Sequence, residues 1–508
     1  MNDSRQVAAA SEEGATFKVR SYARFVRQVG VAGIANGALS LRRILLLPVL
    51  TKQLSPDQFG IWISLAAFIE LLAPIGQLRL DASLDRFLPA VEDRDELGRS
   101  VYTAISFGLL STGLLGGGIV LAWAMPLPWD LSRVGAADLV ALLVVAVLLS
   151  SLEMMGRAYF RARRLVKFHS ALVVADALGF VALAALALYA GLGLKGVLGA
   201  WVVNKGALLV VEWVSISRST GTFSFDAGLL KRFLRYGIPL LPLGLFASLM
   251  HLGDRYVIAY YHDWGLSGAY SAGYLLGNLG GLSFGPVFHI LGPTIAALWE
   301  RGEKRQVEEH MSFALKYCLI AAVPLVVTVA VLARPLMRLL AEEAYEVEPL
   351  VIGLIAVGVM VFMASGILQE GIRLQKKTGK ITLIYGGCAG LNLALNFLVV
   401  PDWGMRGAAA ATLLTHGVQI FAAHQVVRSD LLVRVEWKTL GRMLIGGGVT
   451  GYILFVSDPQ AVASLIVAAI LAMGGYLALM LAMGTFSKRE LDFWKSLIPR
   501  MSGSKKTL

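Results

Sequence analysis

A lysine at position 205 and a histidine at position 416 stand inside otherwise apolar stretches, at matching places in two copies of one pattern. The copies read GLKGVLGAWVVNKG (Gly193 to Gly206) and GMRGAAAATLLTHG (Gly404 to Gly417), and an offset of 211 residues separates Gly193 from Gly404. Each copy sets two glycines around a basic residue, then an alanine, then a basic or imidazole side chain before a last glycine. A charge at membrane depth costs about 2.5–3.5 kcal/mol on insertion scales, so it faces a cavity or a partner. The chemistry such residues can do is the binding and passage of a polar group through hydrocarbon.

Other ionisable groups share that depth. Arg42 and Arg43 fall midway along the first apolar span, and Arg79 and Arg255 fall in later ones. Neighbouring residues on a helix are about 100° apart, so Arg42 and Arg43 cannot both face lipid and at least one points inward. Arginine offers forked donors to phosphate oxygens and lysine a compact point charge. A cationic, substrate-binding cavity lined by Arg42, Arg43, Lys205, Arg255 and His416 is therefore expected, with helix pairing or snorkelling as the plainer alternative. Asp254 adjoins Arg255, with His251 one turn earlier, and either neutralises a cation or carries a coupling ion; Glu70 and Asp176 are candidates of the same kind. Asn392, Asn396 and Gln419 suit sugar hydroxyls, although hydrogen bonds between helices explain them equally well.

These residues need helices to hold them. Of 508 residues 56% are hydrophobic and 16% charged, and the mean hydropathy is +0.68, values of a membrane protein. About fourteen apolar segments are long enough to cross a ~30 Å hydrocarbon core. They fall at 28–51, 58–79, 100–124, 136–157, 169–190, 196–216, 237–261, 268–298, 312–338, 348–372, 379–400, 405–427, 439–457 and 461–485. The expected fold is all-α and polytopic, with two pseudo-symmetric six-helix bundles around a central cleft and two further C-terminal helices. Its parts are a cytoplasmic N-terminal segment (1–27), an N-lobe (28–216), a cytoplasmic linker (217–236), a C-lobe (237–427), helices 13 and 14 (439–485) and a cytoplasmic tail (486–508).

Most of the 46 Lys and Arg fall in alternate loops, which places those loops and both termini in the cytoplasm. The first stretch, polar and followed by a full span, predicts no cleavable signal peptide. The net charge of +12 is spread over many short loops, which suits attraction to anionic lipid and argues against nucleic acid. Cys318 and Cys388 lie in apolar spans without metal-ligand spacing, so neither a disulfide nor a metal is expected. GIPLLP (Gly237 to Pro242) sets two prolines at the start of the seventh span, where a bend or a hinge is expected. No G-x-x-x-x-G-K-[ST] loop, no H-E-x-x-H and no large loop with paired carboxylates is present, so a transporter without cofactor, and not an enzyme, is expected.

Several segments carry a resemblance. LSPDQFGIW (Leu54 to Trp62), LDASLDRFLP (Leu80 to Pro89), RYGIPLLP (Arg235 to Pro242), GDRYVI (Gly253 to Ile258), GAYSAGYLL (Gly268 to Leu276) and WGMRGAAAATLL (Trp403 to Leu414), in that order, resemble bacterial polysaccharide-export (Wzx-type) flippases. That family sits in the multidrug/oligosaccharidyl-lipid/polysaccharide exporter superfamily, and the resemblance spans about residues 20 to 485. It implies a two-lobed inner-membrane fold that moves undecaprenyl-pyrophosphate-linked oligosaccharide from the cytoplasmic to the periplasmic leaflet by alternating access, for exopolysaccharide or O-antigen synthesis. It also implies membrane lipids and a polysaccharide polymerase with chain-length or export proteins as partners. The alternatives are an organic-cation antiporter or a lipid-linked peptidoglycan precursor flippase of the same superfamily, and more remotely a membrane glycosyltransferase.

Overall fold

The computed structural model describes residues 41–42, 45–124, 137–342, 344–459 and 461–486. They divide between two compact units, Met1–Ser248 and Leu249–Leu508.

In the first unit a helical segment over 45–51 (α1) precedes α2 (Pro56–Gly76), α3 (Leu80–Phe87), α4 (Arg94–Ala124), α5 (Ala137–Ala162), α6 (Val166–Tyr189), α7 (Gly193–Ser219) and α8 (Ala227–Gly237). The start of α2 is written in the sequence: the Ser55 side chain accepts from the Gln58 N–H, the Gln58 side chain accepts from the Ser55 N–H, and Pro56 occupies the first turn. This reciprocal cap satisfies two orphan donors and lets proline sit where its missing N–H costs nothing. Asp226 caps α8 in the same spirit, accepting from Gly228 and Leu229 N–H. The helix α9 (Leu241–Tyr261) follows a 3-10 turn, Ile238–Leu240, where Pro239 and Pro242 remove backbone donors. At the expected bend the backbone angles stay helical through Gly237, Ile238 and Leu241, and the prolines mark a 3-10 turn.

The second unit continues with α10 (Trp264–Gly277), α11 (Gly285–Glu300), α12 (Lys304–Val331), α13 (Ala333–Leu340), α14 (Pro349–Leu374), α15 (Thr378–Val427), α16 (Trp437–Ser457) and α17 (Val462–Ala482). No strand occurs among the described residues, so the all-α class holds. Among the described residues, eleven helices are long and apolar enough to cross a membrane. The 50-residue α15 counts as one of these but breaks at Gly404, whose φ of 49° and ψ of −129° are not helical. At 1.5 Å per residue it is about 75 Å long, enough for two crossings of a ~30 Å core. The span expected over 268–298 is α10 and α11 joined by the 3-10 segment Asn278–Phe284. Of the first expected span, only 41–42 and 45–51 are among the described residues.

The two copies of the glycine pattern fold alike. Gly193 (φ 54°) and Gly404 (φ 49°) both take the left-handed conformation that glycine adopts without a steric cost. The next glycines, Gly196 and Gly407, are both pressed by the preceding turn: a side chain at Gly196 would meet Leu192 and Ala187, and one at Gly407 would meet Val399 and Trp403. Each copy is a helix-opening turn that sets Lys205 or His416 twelve residues downstream.

In the first unit, Leu80, Leu84 and Leu88 share a core with Met155, Phe160 and Phe233. Asp85 of α3 takes a two-point ion pair from Arg161 of α5 (3.2 and 2.7 Å), and the Ser83 hydroxyl donates to the Phe233 carbonyl at 2.8 Å. Gly237 ends α8 against the left-handed turn at Leu78 and Arg79 (φ 51° and 58°). A Cβ there would come within 2.6 Å of the Leu78 carbonyl oxygen and 3.0 Å of that of Arg79. The segment Arg235 to Pro242 thus meets, backbone to backbone, the turn that leads into the segment Leu80 to Pro89. Gly237→Ala is expected to cost about 1–3 kcal/mol, the usual range for overpacking. Thermal unfolding of the purified protein should show this, while Gly113→Ala on α4, where nothing stands within 4 Å of an added Cβ, should change little.

Candidate functional site

The Lys205 side chain lies midway along α7 and is buried. Its Nζ is 3.0 Å from the Asp176 carboxylate of α6 and 3.3 Å from Glu153 Oε2 of α5. Asp176 is the meeting point of the unit. It also receives Arg157 Nη2 at 2.9 Å, Asn204 Nδ2 at 2.8 Å and, more loosely, Arg42 Nη1 at 3.6 Å. Arg157 pairs in addition with Glu153 one turn earlier on its own helix. Beneath the cations lies an aromatic floor in which Trp62 stacks on Phe180 and Phe180 meets Trp201 edge-on, with ring centroids 5.7 and 5.1 Å apart. The Arg42 guanidinium sits 5.3 and 5.4 Å from the Phe180 and Trp201 rings, and the Lys205 ammonium 5.5 Å from Trp201. These are cation–π distances.

Glu212, two turns beyond Lys205 on α7, completes the cluster. It is fully buried, neither carboxyl oxygen has a hydrogen-bond partner among the described residues, and it packs where a side chain on Gly156 of α5 would otherwise stand. The cluster therefore sets Arg42, Arg157 and Lys205 against Glu153 and Asp176, with Glu212 beside them in no salt bridge among the described residues. Lys205 is held by carboxylates rather than standing alone. The expected partner role of Asp176 is visible in its contacts, whereas Arg43 lies outside the described residues.

Glu153, Arg157 and Glu212 were absent from the sequence-based site. Arg157 read as the first residue of a basic loop, because its span was expected to end there. The signal that could have found them is spacing: Glu153 and Arg157 are one turn apart, and Glu212 follows Lys205 by two turns, so each pair shares a helix face.

The second unit handles its polar groups differently. Asp254 is fully buried and accepts from the Tyr270 hydroxyl at 2.7 Å and from the Arg255 N–H at 2.9 Å. The Arg255 guanidinium stacks 4.9 Å over Tyr274, and no carboxylate forms a salt bridge with it among the described residues. His416 donates from Nδ1 to the Gly358 carbonyl (3.0 Å), which leaves Nε2 as a lone pair without a partner among the described residues. Its ring lies 6.1 Å from that of His251, and both touch Phe362. Asn396 donates to the Asn392 carbonyl (2.8 Å) within α15. Glu70 is exposed on α2 and joins neither group. Outside the spans, Lys377 and Ser429 hold the Asp430 carboxyl below its usual range by hydrogen bonding.

The sequence pattern of the family described as "Polysaccharide biosynthesis protein" matches residues 49–348, more than half of the chain. Among curated proteins, an uncharacterized membrane protein of Methanocaldococcus jannaschii is 25% identical over 176 residues, which is 33% of this chain and 34% of that protein. The match thus spans about a third of that relative's length. Among solved structures, the lipid II flippase MurJ in an inward closed conformation superposes with a TM-score of 0.72 at 12% identity, covering 93% of this chain and 100% of MurJ. An inward-facing MATE family multidrug resistance transporter of the MOP superfamily gives 0.61 at 15% identity, covering 77% and 93%. At these identities the two structures speak for the fold.

Removing one member of a buried ion pair costs about 3–5 kcal/mol, because the remaining charge is left uncompensated. Lys205→Met and Asp176→Asn should each lower the unfolding temperature, and the double substitution should recover part of the loss. A coupling of about 0.5–3 kcal/mol is the range for contacting residues. Strictly additive losses would mean that the two side chains do not share one electrostatic cluster.

Proposed function

Since this chain belongs to the polysaccharide biosynthesis protein family and has the fold of MurJ-like flippases and MATE transporters, we propose that it flips undecaprenyl-pyrophosphate-linked oligosaccharide. Movement would run from the cytoplasmic to the periplasmic leaflet of the inner membrane by alternating access, in surface or exopolysaccharide synthesis. Both termini are assigned to the cytoplasm on the distribution of Lys and Arg. The transport is non-enzymatic and uses no cofactor. A polysaccharide polymerase and chain-length or export proteins are its proposed partners.

The observation that carries this reading is the state of Arg42. Of the three cations in the cluster it has the most exposed side chain, at 18%, and its 3.6 Å approach to Asp176 exceeds hydrogen-bond length. Stacked on Phe180 and Trp201, it is oriented yet incompletely paired. A pyrophosphate can then take the guanidinium by charge-assisted, two-point hydrogen bonds, while Arg157 and Lys205 keep Asp176 satisfied. Carrying the charged head group on side chains removes the cost of exposing it to hydrocarbon. Arg255, stacked on Tyr274, offers a second cation in the other unit, and Arg43 and His416 are assigned to the same binding role. Asp254, Asp176 and Glu70 are the proposed ion-coupling groups.

A second reading, an organic-cation antiporter, draws on Glu212, a buried carboxyl without a partner among the described residues. Gene deletion separates the two. Loss of surface polymer with accumulation of a complete lipid-linked unit supports the flippase, whereas intact glycans with new sensitivity to cationic drugs support the antiporter.

Hydrogen bonds to charged groups contribute about 1.5–3 kcal/mol, so Arg42→Ala and Arg255→Ala should each reduce polymer export roughly 10- to 100-fold at normal protein abundance, with Arg42→Lys intermediate. Wild-type export in both alanine variants would remove the cationic binding role from these positions. Transport in vesicles that is indifferent to a proton gradient would remove proton coupling from Asp254, Asp176 and Glu70.

A further inference from the structure

The continuous helical run Ala227–Tyr261 is 35 residues long, about 52 Å of helix against a hydrocarbon core of ~30 Å. Along the membrane normal, roughly two-fifths of it lies outside the core. The charged end is α8, whose Lys231, Arg232 and Arg235 are exposed while Phe233 is 1% exposed. Phe233 belongs to the core formed with Leu84, Leu88 and Phe160, and Leu230 and Leu234 pack against it. One face of α8 is thus docked on its own unit, and the other presents three bases that form no salt bridge among the described residues.

Asp226 accepts from the first turn of α8, and Asp95 packs against Gly221, so neither forms a salt bridge with the three bases among the described residues. Arg232 stacks 4.3 Å over the Phe87 ring, which fixes its direction without neutralising it. Two phenyl rings that a water-facing loop would not keep stand just before α8: Phe223 is 69% exposed and Phe225 50%, in the polar stretch Thr220 to Asp226. Tyr236 and Ile238 are exposed at its other end. A short helix with one docked apolar face, an outward basic face and exposed aromatic rings at its margin matches the chemistry of the bilayer interface, where rings enter the acyl boundary and bases meet lipid phosphates.

We propose that α8 and the Phe223–Phe225 segment form a binding surface for anionic phospholipid, which anchors the helix at the membrane interface. The rings supply an apolar foothold and Lys231, Arg232 and Arg235 bind the headgroup phosphates. Because α8 ends at Gly237, wedged against the Leu78–Arg79 turn, and runs into the 3-10 segment with Pro239, the anchor fixes one side of the α8–α9 joint. The inference requires only that the chain spans a membrane and holds whatever its cargo.

The test uses the full-length protein, purified free of substrate, in nanodiscs of phosphatidylcholine with phosphatidylglycerol as the probe. Lipid retained on the protein is counted by native mass spectrometry across a salt series. Lys231→Gln/Arg232→Gln/Arg235→Gln should weaken phosphatidylglycerol binding at least ten-fold and flatten its salt dependence. Phe223→Ser/Phe225→Ser should weaken it about three-fold with the salt dependence kept. A charge-matched control, Lys376→Gln/Lys380→Gln/Lys438→Gln, should stay within two-fold of wild type. Equal binding of phosphatidylcholine and phosphatidylglycerol by the wild type would overturn the proposal. So would binding by the α8 triple variant within two-fold of wild type, which would leave a protein partner as the occupant of this face, or an equal loss in the control.

Discussion

Asp176 is the constraint on which the first unit depends. In a medium of low dielectric, a buried charge survives only when it is paired and hydrogen-bonded. One carboxylate on α6 here receives groups from α7 and α5 and from the Arg42 segment. The tightest contacts, to Lys205, Arg157 and Asn204, fix three helices relative to one another. Gly156 contributes by absence, since without a side chain there α5 leaves room for the Glu212 carboxyl of α7. The aromatic floor of Trp62, Phe180 and Trp201 then limits where the cations can go, because it attracts them without accepting a proton or forming a salt bridge.

The second unit meets the same constraint with neutral partners. Asp254 is satisfied by a phenol and a main-chain N–H, and His416 by a main-chain carbonyl. The two copies of the glycine pattern therefore share their backbone, down to a left-handed first glycine and a crowded second one, yet place different chemistry at the matched position. The two copies thus share the turn that opens the helix and differ in the side chain twelve residues later.

Much of the fold was legible because hydrocarbon imposes a simple code. Length and hydropathy marked the long helices from α2 to α17, whereas the short α3 and α8 fall outside the expected spans, and Gly404 marked the division of α15 as positions 379–400 and 405–427 required. Ends were less legible. The span expected at 136–157 runs as α5 to Ala162, and that error of about one turn turned Arg157 from a site residue into a loop residue. The cluster was half visible for a related reason: a lone cation in an apolar run is conspicuous, but its partners lie 29 and 52 residues away on other helices. Sequence spacing reveals neighbours on one helix and is silent about which helices meet. Lys205 consequently read as an open charge, although two carboxylates hold it.

Neutralisation is itself informative under the proposed function. A ligand shifts a conformational equilibrium only by its differential affinity for the two states, so a cation that binds anion equally well throughout the cycle would hold its cargo without moving it. A cation tethered to an internal carboxylate behaves differently, because the strength of the tether depends on helix positions, and those change when a transporter turns over. Arg157 and Lys205, with short contacts to Asp176, are the fixed part of the arrangement. Arg42, at 3.6 Å and stacked on rings, is the part whose partner can be exchanged. Under the proposed function, the cluster would convert a change in helix packing into a change in the affinity of one guanidinium, as alternating access requires of a site for a charged head group.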